Sequence, residues 1–268
     1  MTPPEVTTDM TDAPQLLVEQ DGAVLTVTFN RARQRNAMTW EMYEGLFDAC
    51  ERADGDDAIR VMVLRSSNEK AFIAGTDISQ FADFTEGEQG VEYEKKIERI
   101  TNRLEDVDVP TVAAIQGFCV GGGLGLASVC DLRVATPSAR FGLPIARTLG
   151  NCLSMNGYSI LVQQVGPSVA LDLLLRARLL TGEEAHAAGF VAELCAEDGL
   201  EAATDEIAQT LLGHAPISMW AAKEAVRRLR RMTIPSGDDI VARAFGSEDF
   251  RAAVAAFAAK EQVAWQGR

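Results

Sequence analysis

The sequence predicts an α/β fold in which strands and helices alternate over the first two thirds and helices alone fill the last third. Three observations carry this. Leu25, Val27 and Phe29 alternate with Thr26, Thr28 and Asn30, the period of a half-buried strand. Short apolar runs at 59–65, 71–74 and 109–115 are separated by stretches with helical spacing. From Gly199 onward the pattern is helical, broken only near Ala215-Pro216 and Pro235-Ser236-Gly237.

Taken in order, residues 1–14 are rich in Thr, Pro and Asp, lack the apolar stretch of a signal peptide, and read as a disordered tail. Leu16 to Asn30 reads as a hairpin turning at Asp21-Gly22. Arg31, Arg33 and Arg35 follow, a basic cluster that reads either as a solvated loop or as a phosphate clamp. Thr39 caps a helix carrying Met42, Leu46, Ala49, Cys50 and Ala53. Ile59 to Arg65 is a buried strand. Phe81 to Gly90 is acidic and reads as a mobile surface loop. Val91 to Val107 is a helix with Ile97, Ile100 and Leu104 on one face. Val109-Pro110-Thr111 opens a strand that runs into Gln116–Gly125. Strands are expected at 131–135 and 140–143, and helices at 153–165 and 168–176 about Gly166-Pro167. Thr181-Gly182-Glu183-Glu184 is a capping box, and 190–194 a brief strand. The organisation is a tail (1–14), a mixed core (15–198) and a helical region (199–268).

Composition narrows the function. The chain has 268 residues, 47% hydrophobic, with a net charge of −14. A sizeable core is affordable, and so acidic a surface argues against general nucleic-acid binding. No apolar run reaches the ~18 residues of a membrane span. Five scattered cysteines fit reduced thiols in a cytoplasm, and two histidines in helical stretches argue against a metal site or a Ser-His-Asp triad.

The centre of the chain is Gln116–Gly125, with four glycines among residues 121–125 between an apolar run and an Ala-rich one. Strand, loop and helix start follow one another here. The first N–H groups of such a helix lack intrahelical partners and sit at the positive end of its dipole, so the loop suits an anion or oxyanion. Close packing of helix on strand explains the glycines equally well.

These pieces together resemble the crotonase (enoyl-CoA hydratase/isomerase) superfamily over residues 16–265. The carriers are Asn30-Arg31 with Asn36-Ala37-Met38; Ala71 to Ile78; Pro110 to Gly117; Gly121-Gly122-Gly123; Cys130-Asp131-Leu132-Arg133; and Phe141-Gly142-Leu143-Pro144. The resemblance implies a crotonase-type spiral of β-β-α turns with a helical C-terminal region, assembled as a homotrimer or a dimer of trimers. It implies an acyl-CoA substrate, no separate cofactor, and an oxyanion hole from the backbone N–H groups of Thr76 and Gly122. For CoA it points to Arg33, Arg35 and Ala37 near the phosphates, to Ala74, Gly75, Asp77 and Ile78 near the adenine, and to Phe257 and Lys260 of a Phe-x-x-Lys pattern, often reaching a neighbouring subunit.

The pattern breaks where a hydratase of this family carries its two glutamates. Gly125 and Ile145 stand there, and neither moves a proton. Substitutes in the same segment are Arg147, Asn151, Cys152, Ser154 and Asn156, with Asn151 or Asn156 placed to hold a polar group of the substrate and Arg147 a carboxylate. Cys152 reads as an inert buried thiol rather than a nucleophile. Asp77 and Asp131 are the nearest acids, and Asp77 is the better catalytic candidate. Isomerisation, decarboxylation or hydration by a different acid–base set all remain open, as does a non-catalytic acyl-CoA-binding scaffold.

Overall fold

The computed structural model describes residues 13–232, 234–263 and 265–268, so most of the expected disordered tail lies outside the described residues. β1 (Leu16–Asp21) and β2 (Val24–Phe29) form an antiparallel hairpin. Its turn is Gly22-Ala23, one residue later than the Asp21-Gly22 reading, with Asp21 still paired to Val24. Gly22 has φ 55°, and the first position of a tight hairpin turn is where that left-handed conformation is needed. α1 (Trp40–Gly55) follows, capped by Thr39 Oγ1, which accepts the Met42 N–H at 3.3 Å.

Three turns of one pattern come next. The first is β3 (Val61–Ser66), β4 (Ala71–Ile73) and α2 (Gly87–Asp106). The second is β5 (Thr111–Ile115), β6 (Phe118–Val120) and α3 (Gly122–Val129). The third is β7 (Leu132–Ala135), β8 (Arg140–Gly142), α4 (Ile145–Thr148) and α5 (Met155–Leu175). β9 (Leu180–Thr181), α6 (Gly182–Ala187) and β10 (Glu193–Leu194) close the core. The helical region is α7 (Leu200–Leu212), α8 (Pro216–Arg231), α9 (Asp238–Phe245) and α10 (Glu248–Ala259).

Each turn gives one strand to each of two sheets. The six-stranded sheet runs β1-β2-β3-β5-β7-β10 and the four-stranded sheet β4-β6-β8-β9. β3, β5 and β7 are parallel neighbours, as are β4, β6 and β8. This is the expected spiral of β-β-α turns, and its core holds Leu25, Phe29, Leu46, Leu64, Phe72 and Phe141.

One expectation changes. Residues 81–90 are not a mobile loop: a 3-10 turn at 78–81 buries Phe81 against Tyr93, Phe245 and Phe250, and α2 already starts at Gly87. The acidic residues there face outward, which hid the aromatic anchor. Gly90 lets α9 approach α2, since a Cβ on it would stand 2.2 Å from Phe245 Cγ. Met155–Leu175 has the length and apolar composition to cross a membrane, but Gly166 (φ 75°, ψ 160°) breaks its helical backbone, and Ile160, Leu161, Ala170 and Leu173 are buried in the protein.

Candidate active site

A cavity of about 300 Å³ lies at the C-terminal ends of β4, β6 and β8. The residues that leave these strands line it: Ala74-Gly75-Thr76, Val120-Gly121-Gly122 and Leu143-Pro144-Ile145. Parallel pairing of the three strands sets these ends side by side, the usual ligand position in a parallel sheet. α1, α2 and α3 complete the wall with Tyr43, Tyr93, Glu94, Glu98, Leu124 and Gly125, and α10 adds Phe257.

The Thr76 N–H and the Gly122 N–H take no backbone acceptor among the described residues. Gly122 opens α3, so its amide has no intrahelical partner and sits at the helix dipole's positive end. A Cβ built on Gly122 would lie 3.7 Å from Thr76 N, so the two amides border the same space. Thr76 is fixed by its neighbours: Met38 N–H donates to Gly75 O and Asp77 N–H to Met38 O, both at 2.9 Å. Its own hydroxyl lies 2.9 Å from the hydroxyls of both Tyr43 and Tyr93. Burial pushes both phenols above their ordinary 10, which keeps them neutral.

Glu94 is the titratable group that sequence reasoning missed. It is 8% exposed, lines the cavity, and accepts the Ser154 N–H at 2.9 Å. Burial pushes its carboxyl up to about 8; the Ser154 amide pulls against that and the charge of Glu98 adds to it. The signal was present, for Glu94 stands three residues before Ile97, on the apolar stripe of its helix, where a carboxylate is costly. Glu98 also lines the cavity, one helical turn along the same face.

Of the residues singled out from sequence, Thr76, Gly122, Asn151, Ala74, Gly75, Ile78 and Phe257 line the cavity. Asn151 Oδ1 is buried without a hydrogen-bond partner among the described residues. Gly125 and Ile145 also line it, and bring no titratable group. Asp77 is engaged elsewhere: its carboxylate pairs with Arg31 at 2.7 Å and accepts the Ser79 N–H at 3.1 Å. Burial works to raise its proton affinity, but the Ser79 hydroxyl and Arg31 outweigh that and hold the carboxyl below its ordinary range. Asp131 is likewise committed, to Lys223 at 2.5 Å and to the Thr111 N–H at 2.7 Å.

The arginine loop is tied to β4 through Asn36, whose amide donates to Phe72 O at 3.0 Å and whose Oδ1 accepts the Arg31 N–H at 2.8 Å. Ala74 N–H donates to Arg35 O at 3.0 Å, which brings Arg35 next to the cavity-lining stretch, while Arg33 is exposed on the short turn before it. Ala37 O accepts from Arg31 at 2.9 Å. Lys260 ends α10 in a left-handed conformation, outside the cavity wall. Among the other substitutes, Arg147 is exposed, Ser154 caps α5, and Asn156 bonds Arg230 and Asn102. Cys152 is buried, and burial pushes its thiol up to about 12, the state of an inert core cysteine.

The family model described as enoyl-CoA hydratase/isomerase matches residues 19–268. The chain belongs to this family. Among relatives of the enoyl-CoA hydratase/isomerase family, a probable enoyl-CoA hydratase from Rhizobium meliloti (strain 1021) is 34% identical, covering 94% of this chain and 98% of its own length. A solved enoyl-CoA hydratase/carnithine racemase from Magnetospirillum magneticum is 30% identical with a TM-score of 0.78, covering 96% of this chain and 97% of that one. A methylmalonyl-CoA decarboxylase structure superposes with a TM-score of 0.87 at 23% identity, over 95% of this chain and 99% of that one, a likeness of fold. As a crotonase-superfamily member the protein is an acyl-CoA-binding enzyme.

Proposed function

We propose that the protein shifts the double bond of an enoyl-CoA thioester through an enolate held by the Thr76 and Gly122 N–H groups, with Glu94 carrying the proton. The observation that carries this reading is Glu94 itself: a cavity-lining carboxyl whose proton affinity is set near 8. A group that gives and takes one proton works best with a pKa near the operating pH. In the first step the Glu94 carboxylate removes a proton from the substrate α-carbon. The C–H electron pair moves into the thioester carbonyl, and the oxygen takes the negative charge. Two fixed N–H donors in an apolar pocket stabilise that charge by ~3 kcal/mol each. The Glu94 carboxylic acid then returns the proton to the γ-carbon, and the electrons shift back to leave the double bond between Cα and Cβ.

Asn151 is proposed to hold a polar group of the acyl part, since its unpartnered buried oxygen lacks a donor. Arg33 and Arg35 are proposed at the CoA phosphates, with Ala37, Ala74, Ile78, Phe257 and Lys260 along the rest of the cofactor-like tail, which enters as part of the substrate. Assembly as a homotrimer or a dimer of trimers is part of the proposal, supported by the exposed apolar side chains Leu175 of α5 and Ile217 and Leu229 of α8. A cytoplasmic setting is supported by five free cysteines.

Glu98 favours hydration as a second reading. It would supply a second carboxyl beside Glu94, from α2 rather than from the strand ends. One assay separates the two. With 3-hexenoyl-CoA the isomerase reading expects a growing conjugated-thioester absorbance, and with crotonyl-CoA the hydratase reading expects a falling one. Absence of both changes, with calorimetric binding of either thioester, would leave a non-catalytic acyl-CoA binder.

A further inference from the structure

We infer that the hydroxyl chain Tyr43–Thr76–Tyr93 donates a third hydrogen bond to the thioester oxygen, an inference that rests on the proposed Thr76/Gly122 hole. The chain has three hydroxyl protons and two internal contacts, both 2.9 Å. Each hydroxyl donates once, so one proton is left over wherever the other two are placed. Tyr93 also borders the cavity, but its ring packs among those of Trp40, Phe81, Phe84 and Phe245, and Thr76 Oγ1, the one hydrogen-bond partner of its hydroxyl among the described residues, takes its proton. The spare proton therefore belongs to Thr76 or Tyr43.

Both of these hydroxyls face Gly122. A Cβ built there would stand 2.6 Å from Tyr43 Oη and 3.2 Å from Thr76 Oγ1, within the space bordered by the two amides. Thr76 and Tyr43 line the cavity, and an unmade hydroxyl bond in a largely apolar wall is costly until a ligand accepts it. The ligand atom that two N–H groups already address is the thioester oxygen. Because burial holds both phenols neutral, the donor persists across the working pH range. The bond strengthens as negative charge builds on the oxygen, so it favours the enolate over the bound thioester.

The test uses butanoyl-CoA labelled with 13C at its carbonyl. Binding is read by calorimetry, the bound carbonyl stretch by difference infrared, and α-proton exchange in D2O by NMR. The spare proton can sit on either hydroxyl, so the decisive variant is Tyr43→Phe with Thr76→Val. We expect it to move the carbonyl band to higher frequency and to slow exchange at least tenfold, with affinity within about threefold. Each single variant falls between, and Thr76→Ser keeps the wild-type band. A double variant that stays folded by circular dichroism, binds butanoyl-CoA and keeps both band and exchange rate overturns the inference. Wild-type binding without exchange would sink the Glu94 reading alone, since the band still judges the hydroxyl chain. No binding to wild type would overturn both.

Discussion

Glu94 Oε2 accepts the main-chain N–H of Ser154 at 2.9 Å, which joins the middle of α2 to the N-cap of α5 across the cavity wall. One buried carboxyl with one amide donor is under-solvated. That is why its proton affinity rises to about 8 rather than falling as at a well-served surface acid. Chemistry and stability both follow from this pair.

Glu94→Gln should abolish proton transfer while sparing thioester binding. We expect a loss of 10²–10⁴-fold in isomerisation, the usual contribution of a positioned acid–base group. In the wild type, kcat/KM should rise with pH to an inflection near 8, because the first step needs the carboxylate. A Gln variant that keeps more than a tenth of wild-type turnover would exclude the role.

The same carboxyl makes the fold pH-sensitive. Its proton affinity is raised from an ordinary 4.5 to about 8, so the folded state binds a proton that the unfolded state has released over that window. Stability is full below about 4.5 and declines as pH rises towards 8, by at most ~1.4 kcal/mol per pH unit. Chemical-denaturation curves of wild type and Glu94→Gln should therefore diverge above pH 5, with the variant losing less. Parallel curves would mean that Glu94 titrates alike in both states.

Two substitutions should install glutamates at the two positions that the resemblance assigns to a hydratase. A Cβ on Gly125 meets nothing within 4 Å, and Ile145 already borders the cavity. Gly125→Glu with Ile145→Glu is expected to fold and to raise crotonyl-CoA hydration at least tenfold over wild type, by loss of the enoyl absorbance. A folded double variant with unchanged hydration would mean that these two positions do not reach the β-carbon.

Gly122→Ala should be disruptive out of proportion to one methyl group. The new carbon would press on the Tyr43 hydroxyl at 2.6 Å and on Thr76, pushing apart the groups that border the N–H pair. We expect α-proton exchange of bound butanoyl-CoA to fall 10²-fold or more, the scale of a lost oxyanion donor. An unchanged rate would argue that the oxyanion lies elsewhere.

Gly90→Ala tests the helical cover. Its methyl would meet Phe245 Cγ at 2.2 Å, in the seam where α9 packs on α2. Overpacking of this kind costs ~1–3 kcal/mol, to be read as a lower thermal midpoint. A midpoint within 1 °C of wild type, on the ~2–4 °C per kcal/mol scale of a chain this size, would show that α9 yields freely.

The fold was legible because its signals are local and agree. Thr39 and Thr181 cap their helices, Gly166 breaks the helix around it, and the apolar runs became parallel strands. The cavity floor was legible too, since Thr76 and Gly122 follow short apolar runs that end in glycine. The buried carboxyl proposed as the acid–base group was not. Attention to the segments that follow β6 and β8 led to Gly125 and Ile145, whereas Glu94 comes from a helix in a different turn of the spiral, and only tertiary packing brings it to the wall. Asp77 misled for the opposite reason: adjacency to Thr76 in the chain looked like adjacency to the chemistry, but its carboxylate serves Arg31 and Ser79. Phe81 was lost among acidic neighbours whose charge masked its burial.

The ends of β4 and β6 lie together because the strands are parallel neighbours, and the two donors proposed there, the Thr76 and Gly122 N–H groups, are main chain. Main chain carries no side-chain identity to lose. On the proposed reading, a carboxyl from α2 does the proton transfer while the two amides polarise the thioester, so the two tasks rest on separate parts of the fold. Substitutions at residues 94, 98, 125 and 145 would then alter the proposed chemistry while leaving the two proposed amide donors in place.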